Sequence, residues 1–442
     1  MTKALFHLRQ FRLLLLVLLC ALFSLPLSAQ EAYVAESEGG STLTFYYDNN
    51  RSSRNGKTWG IDEKSSSPKP VWAGTYEHPN GVVTKVVFDD SFKNYRPITT
   101  NYWFYYFSSL TTIEGLENLN TSAVTDMGGM FFGCSNLTSL NLSNFNTSVV
   151  TDMRWMFKGC SSLTSLNLSN FNTSKVTNMY GMFSGCSSLT FLNISKFNTS
   201  AVTNMYGMFS DCFGLTSLNL SNFNTSKVTN MNGMFVGCSK LTSLNLSNFN
   251  TSAVTDMGGI FYGCTGLTSL NLSNFNTSAV TNMGLMFSGC SGLTSLNVSN
   301  FNTSAVTNMS WMFEDCRYLK ELNVSNFKTS AVAYMYEMFR DCSGLKTIIN
   351  TQTWQCEKSQ DMFKGCTQLK GAVKYDESKV DATMANPTTG YFSQKLPSAI
   401  GRVVFDGNNA TQIYNLQGKR VNANQRHPPL LVSTLSMERR FI

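Results

Sequence analysis

Charge is scarce in this chain. Only 14% of its 442 residues are Asp, Glu, Lys or Arg, and the formal net charge is +7. Lys175, Lys196, Lys227 and Lys240 stand singly and build no basic run. A polyanion needs a clustered basic stripe, so nucleic acid is excluded as a partner. Histidine is rarer still: the three are His7, His78 and His427, all outside the central region. A Ser-His or Cys-His nucleophile therefore has no base there. Glu114 with Glu117, and Asp89 with Asp90, are close in sequence, but no partner group marks a pocket around them. The chain reads as a non-enzyme without a cofactor. Beyond its first residues it also lacks any apolar run long enough to span a membrane.

Those first residues read MTKALFHLRQFRLLLLVLLCALFSLPLSAQ, with Lys3, Arg9 and Arg12 ahead of an apolar stretch from Leu13 to Phe23 and a small-residue exit at Ser28 and Ala29. This is the pattern of a secretory signal peptide over residues 1–29. Cys20 lies inside the apolar stretch, between Leu19 and Ala21, which argues against a lipid-attachment site. The expected location is secreted or attached to the outer surface, with no transmembrane span after cleavage.

What the chain has in abundance is itself. Units opening at Leu137, Leu163, Leu189, Leu215, Leu241, Leu267, Leu293 and Leu319 follow one another every 26 residues. Imperfect units flank them: the one from Leu110 is a residue longer, the one from Leu345 is two shorter, and Thr84 to Ser109 is a divergent copy. Each unit carries two hydrophobic rhythms. Leu215, Leu218 and Leu220 form LxxLxL, whose end alternates as a strand with one buried face does. Val228, Met231, Met234 and Phe235 fall at i, i+3, i+6 and i+7, which predicts a short helix or helical turn. Thr225 or Ser226 would cap its start, and Gly237 would end it in the left-handed conformation.

One strand and one helical turn cannot bury their apolar side alone, so neighbours must stack, strand beside parallel strand. Ten such strands would extend about 45 to 50 Å. The expected fold is an α/β solenoid with a parallel β-sheet on its concave face, short helical turns opposite, and covers at both ends. The boundaries read as a β-rich N-terminal cap with a degenerate first repeat over 30–109, ten repeats over 110–368, a C-terminal cap over 369–393, and a linker with a sorting segment over 394–442.

The phrase LxxLxLSNFNTSxVTNMxxMFxGCS resembles the repeat of the BspA-type leucine-rich-repeat surface proteins, and the likeness runs from about Leu110 to Phe392. LTFYYDNNRSSRNGKTWGIDE and AVKYDESKVDATMANPTTGYF resemble that family's two caps. The tail AIGRVVFDGNNATQIYNLQGKRVNANQ resembles the start of a type IX secretion sorting domain, with Ile413 to Val421 as its hallmark; the ending RHPPLLVSTLSMERRFI departs from that pattern. The resemblance implies a Gram-negative surface protein that binds host matrix or plasma proteins, or other cells.

Cys134, Cys160, Cys186, Cys212, Cys238, Cys264, Cys290, Cys316, Cys342 and Cys366 recur at one repeat position. A buried row of free thiols, scattered disulfides between neighbouring units and a metal site are three readings of that row; small size and apolarity favour the first. Asp126, Asp152 and Asp256 share a position otherwise filled by Asn, a turn role and not an acid pair. The NxS and NxT triplets, as at Asn141 and Asn146, are explained by side-chain ladders along a stack.

Binding must then lie where the units differ. Thr216, Ser217, Asn219 and Ser221 scarcely change between copies. The pair between the two methionines changes much more, and it supplies an aromatic strip of Trp155, Tyr180, Tyr206, Trp311 and Tyr336. Large aromatics anchor protein and sugar ligands alike. The expectation is an adhesin for host proteins or other cells, with a glycan-capture module or a passive surface spacer as the alternatives.

Overall fold

The computed structural model describes residues 29–37, 39–61, 69–394 and the short strands at 403–404, 412–414 and 420–421. The signal-peptide expectation falls on 1–28 and lies outside them. A five-stranded sheet opens the chain: β1 (Glu31–Glu36), β2 (Thr42–Asp48), β3 (Thr58–Gly60), β4 (Lys85–Phe88) and β5 (Thr112–Glu114), in the order β3-β1-β2-β4-β5. β1 runs antiparallel to β2 and β3, whereas β2, β4 and β5 are parallel, so the direction of pairing changes within the sheet and β5 delivers the chain into the repeats.

The repeats form a solenoid-like stack. Its unbroken ladder runs through Thr99, Asp126, Asp152, Asn178, Asn204, Asn230, Asp256, Asn282, Asn308 and Tyr334, every bridge parallel. That ladder lies beside the methionines and not along LxxLxL. Among the described residues the LxxLxL position is regular strand at β5 in the Leu110 unit and at β6 (Ser165–Asn167), β7 (Phe191–Asn193), β8 (Glu321–Asn323) and β9 (Thr347–Ile349), where Leu166 pairs with Leu192 and Leu322 with Ile348. β10 (Phe392–Ser393) adds a last parallel rung to β9. Beyond it, β11 (Val403–Val404), β12 (Gln412–Tyr414) and β13 (Arg420–Val421) pair antiparallel in chain order.

The predicted helical turn is not there. The described residues contain four short 3-10 turns and no α-helix, so the fold is β-solenoid in character and not α/β. The reason is where the amides go. Met205, Gly207, Phe209 and Asp211 donate to Asn230, Asn232, Met234 and Val236 of the next unit at 3.0, 2.9, 2.9 and 2.7 Å. Between them Met208, Ser210 and Cys212 donate three residues back, to Met205, Gly207 and Phe209. Alternate amides serve the next unit and the local turn, which meets the demand that buried backbone groups be paired. A helix would turn every amide back on its own segment. The alternation needs left-handed residues, and Gly233 and Gly237 supply them with φ of +64° and +68°.

The SNFNTS phrase stitches units together. Thr225 does not cap a helix: its buried hydroxyl donates to the Asn250 carbonyl at 2.8 Å and accepts from the Asn250 amide at 2.8 Å. Asn248 Nδ2 reaches back to the carbonyls of Leu220 and Phe223 at 3.0 and 2.6 Å. Asn224 Oδ1 accepts from the Ser226 amide at 3.0 Å. Inside, the valine, methionine, phenylalanine, cysteine and leucine rows become buried columns. The ten cysteines named above are buried and unbridged. Each thiol donates to a phenylalanine carbonyl of the preceding unit, as Cys238 does to Phe209 at 3.2 Å.

Phenylalanine rings stack nearly flat from Phe131 through Phe363; Phe209 and Phe235, for example, are 5.8 Å apart at 5°. Each end of the column meets rings set on edge. Phe88 stands at 84° to Phe104 below it, and Tyr391 at 83° to Phe363 above it.

Candidate ligand-binding surface

The scaffold consumes most of what repeats. The Asp126, Asp152 and Asp256 carboxylates accept from the amides two residues on, at 2.7, 2.8 and 2.9 Å, as turn formers. Burial raises the Asp126 carboxyl above its ordinary value. Among the described residues no cluster of metal-ligating side chains converges. Thr216, Ser217, Asn219 and Ser221 are exposed and make a flat hydroxyl and amide surface.

The turn face differs. The second of its two left-handed positions is glycine in most units, but the first is glycine only at Gly129, Gly181, Gly207, Gly233 and Gly259. It holds Trp155, Leu285, Trp311 and Glu337 at φ of 56°, 61°, 58° and 52°, with Tyr102 and Asp361 in the outermost units. A bulky side chain in that region costs free energy that glycine does not, and such residues persist where surrounding structure or function demands them. Trp155 and Trp311 are the two tryptophans of the aromatic strip.

The five strip residues fall into two groups. Trp155 meets Tyr180 at 5.1 Å between ring centroids, and Tyr180 meets Tyr206 at 4.8 Å. Trp311 and Tyr336 are 6.3 Å apart. Asn232 with Gly233, Gly258 with Gly259, and Gly284 with Leu285 separate the groups. Tyr206 is exposed, whereas Trp155, Tyr180, Trp311 and Tyr336 are half-buried against their neighbours. Tyr180 and Tyr206 meet edge to face at 81°, and Arg154 lies over the Trp155 ring at 5.9 Å.

Sequence reasoning missed part of this surface. Phe132 joins the first group 6.2 Å from Trp155, with Tyr105 and Tyr106 at 4.9 and 5.1 Å from Phe132. Tyr334 joins the second, 6.1 Å from Tyr336. The signal was available: the ladder bridges Thr99 to Asp126, so Tyr102 and Tyr106 take the left-handed positions of Gly129 and Gly133, one residue out of the 26-residue register.

Comparison with known proteins follows this geometry. A leucine-rich repeat protein from Bacteroides ovatus ATCC 8483 is 17% identical, with 78% of this chain and 94% of that one covered at a TM-score of 0.34. A leucine rich cell surface protein from Faecalibacterium prausnitzii A2-165 is 17% identical, covering 77% and 97% at 0.34. A leucine-rich repeat protein from Eubacterium ventriosum ATCC 27560 is 17% identical, covering 86% and 97% at 0.38. These superpositions are loose, and the architecture stands on the chain's own ladder. No curated protein matches the chain. Residues 100–216, 187–290 and 263–376 match the family described as "Mycoplasma protein of unknown function, DUF285". Together those segments run from 100 to 376, more than half of the 442 residues, and the chain belongs to the DUF285 family.

Proposed function

We propose that this is an exported, surface-displayed repeat protein of the BspA type that works as an adhesin, holding host matrix or plasma proteins along its turn face. In this reading residues 1–29 direct export, 30–109 and 369–393 close the stack, 110–368 carry the binding face, and 394–442 hold a linker and a type IX sorting segment. The pairing of β12 with β13 over Gln412–Tyr414 and Arg420–Val421 is consistent with that last assignment.

One observation carries the proposal. Trp155 occupies left-handed backbone where Gly129 and Gly181 serve in the two neighbouring units, Trp311 occupies the same strained position between Leu285 and Glu337, and both tryptophans belong to ring clusters on the variable face. The cysteine row serves the scaffold and not the ligand, because each thiol is buried against a backbone carbonyl.

The test is saturable binding of the full chain to immobilised matrix and plasma proteins by surface plasmon resonance. A Trp155→Gly, Tyr180→Ala, Tyr206→Ala variant with an unchanged circular dichroism spectrum should bind at least about tenfold more weakly. Binding that survives these changes, or no saturable binding to any of the proteins, would overturn the reading.

A further inference from the structure

Where the N-terminal cap leans over the first regular units, it leaves a groove of about 820 Å³. Its floor is Gly133, Gly159 and Gly185, at φ of +76°, +73° and +75°, in successive units. A Cβ on Gly159 or Gly185 would stand 3.5 or 3.4 Å from the preceding glycine Cα, so there the floor is bare backbone, whereas the Tyr106 ring rests on Gly133, 2.9 Å from where its Cβ would be, and closes that end. Tyr76, 73% exposed, hangs over one end from the cap loop, and its ring meets Tyr106 edge-on at 5.8 Å. Phe132 continues that wall.

The polar groups are few and placed apart. Lys158 Nζ lies 5.4 Å from the Phe132 ring centroid, and among the described residues no carboxylate pairs with it. The Ser184 side chain lines the groove between Gly159 and Gly185. Asp211 takes the floor position of the next unit and ends the bare track. Farther along, Gly237 again has glycine, but there the Phe213 ring covers the space, 2.8 Å from where its Cβ would be.

We propose that this groove binds a short anionic saccharide, a sugar bearing a carboxylate. The size selects it: three floor glycines span two ladder spacings, about 10 Å, which would take no more than about three residues of extended peptide. The volume is that of a small-molecule site. The tyrosine and phenylalanine rings offer stacking surface to the C–H face of a pyranose. Lys158 answers the carboxylate, and Asp211 repels it while accepting from sugar hydroxyls. The sugar acid is therefore held toward Phe132 and its hydroxyl-rich end toward Asp211. The groove shares Phe132 and Tyr106 with the rings that join Trp155, but it uses none of the five strip residues, so the Tyr206→Ala variant probes the adhesin reading without touching it.

The experiment titrates the full chain with cellobiouronic acid and, separately, with cellobiose, followed by calorimetry and saturation-transfer NMR. The acid should bind at least tenfold more tightly than its neutral counterpart. Lys158→Gln should abolish that preference, Tyr106→Gly, which keeps the backbone conformation available, should weaken both sugars, and Tyr206→Ala should change neither. Equal binding of the two sugars, an undiminished preference in Lys158→Gln, or no saturable binding of the acid would each overturn the assignment.

Discussion

The indole Cδ1 of Trp155 lies 2.9 Å from where a Cβ on Gly181 would stand, so the ring of one unit fills the space left by the missing side chain of the next. Tyr102 treats Gly129 in the same way. The glycine thus does two things at once: it adopts φ of +56° without strain and it makes room for a neighbour's ring.

This pairing separates two costs of substitution. Gly181→Ala and Gly207→Ala both place a Cβ at left-handed φ, which costs about 1 to 2 kcal/mol. At Gly207 the nearest atom is Ser210 Cβ at 3.7 Å, ordinary contact, whereas at Gly181 the indole must also shift. Gly181→Ala should therefore be the worse by about 1 kcal/mol in urea unfolding, and the difference should vanish in a Trp155→Gly background. Equal costs in both backgrounds would remove the packing role assigned to Gly181.

The threonine clamp makes a second expectation. Thr225→Val keeps the volume but unpairs both the amide and the carbonyl of Asn250, so it should cost about 1 to 3 kcal/mol and speed hydrogen exchange at the Asn250 amide. Thr229 is exposed and only donates to the Thr203 carbonyl at 3.3 Å. Thr229→Val should stay within about 0.5 kcal/mol of the parent. If the two valines cost the same, the clamp contributes nothing special.

The buried thiols set the response to alkali. Burial pushes Cys186 and Cys264 up from 9.0 to about 12. Below pH 9 these two thiols are protonated both folded and unfolded, and their contribution is fully present. As the pH climbs toward 12 the unfolded chain releases its protons first, so the folded state loses stability. The urea midpoint should fall steadily over that window, and at pH 8 the ladder thiols should resist Ellman's reagent until the chain is unfolded. Rapid labelling of the native ladder, or an alkali-insensitive midpoint, would contradict the burial described.

The 26-residue period, the stacking and the inward leucine, phenylalanine and cysteine rows were all legible, because repetition and apolar rhythm survive any local conformation. The turn segment was misread. Met231, Met234 and Phe235 follow a helix-like spacing, but a chain of alternating right- and left-handed turns brings the same residues to one side. Gly233 and Gly237, four residues apart inside the supposed helix, were the clue, since each would weaken a helix by roughly 1 kcal/mol. The continuous ladder was hidden for a related reason: an Asn or Asp before a methionine looks like a cap, and only the neighbouring unit reveals that its backbone bridges. Trp155 and Tyr180 could be named from their variability; Phe132 was missed because it follows the buried phenylalanine, at a position held by Lys158 and Ser184 in the next units, and Tyr106 because it stands 27 and not 26 residues before its counterpart Gly133.

The edge-on rings that close the phenylalanine column are themselves covered, Phe88 at 1% exposure and Tyr391 at 0%. The column therefore ends inside its caps, and neither Phe88 nor Tyr391 offers a bare ring on which a second copy could continue the pile.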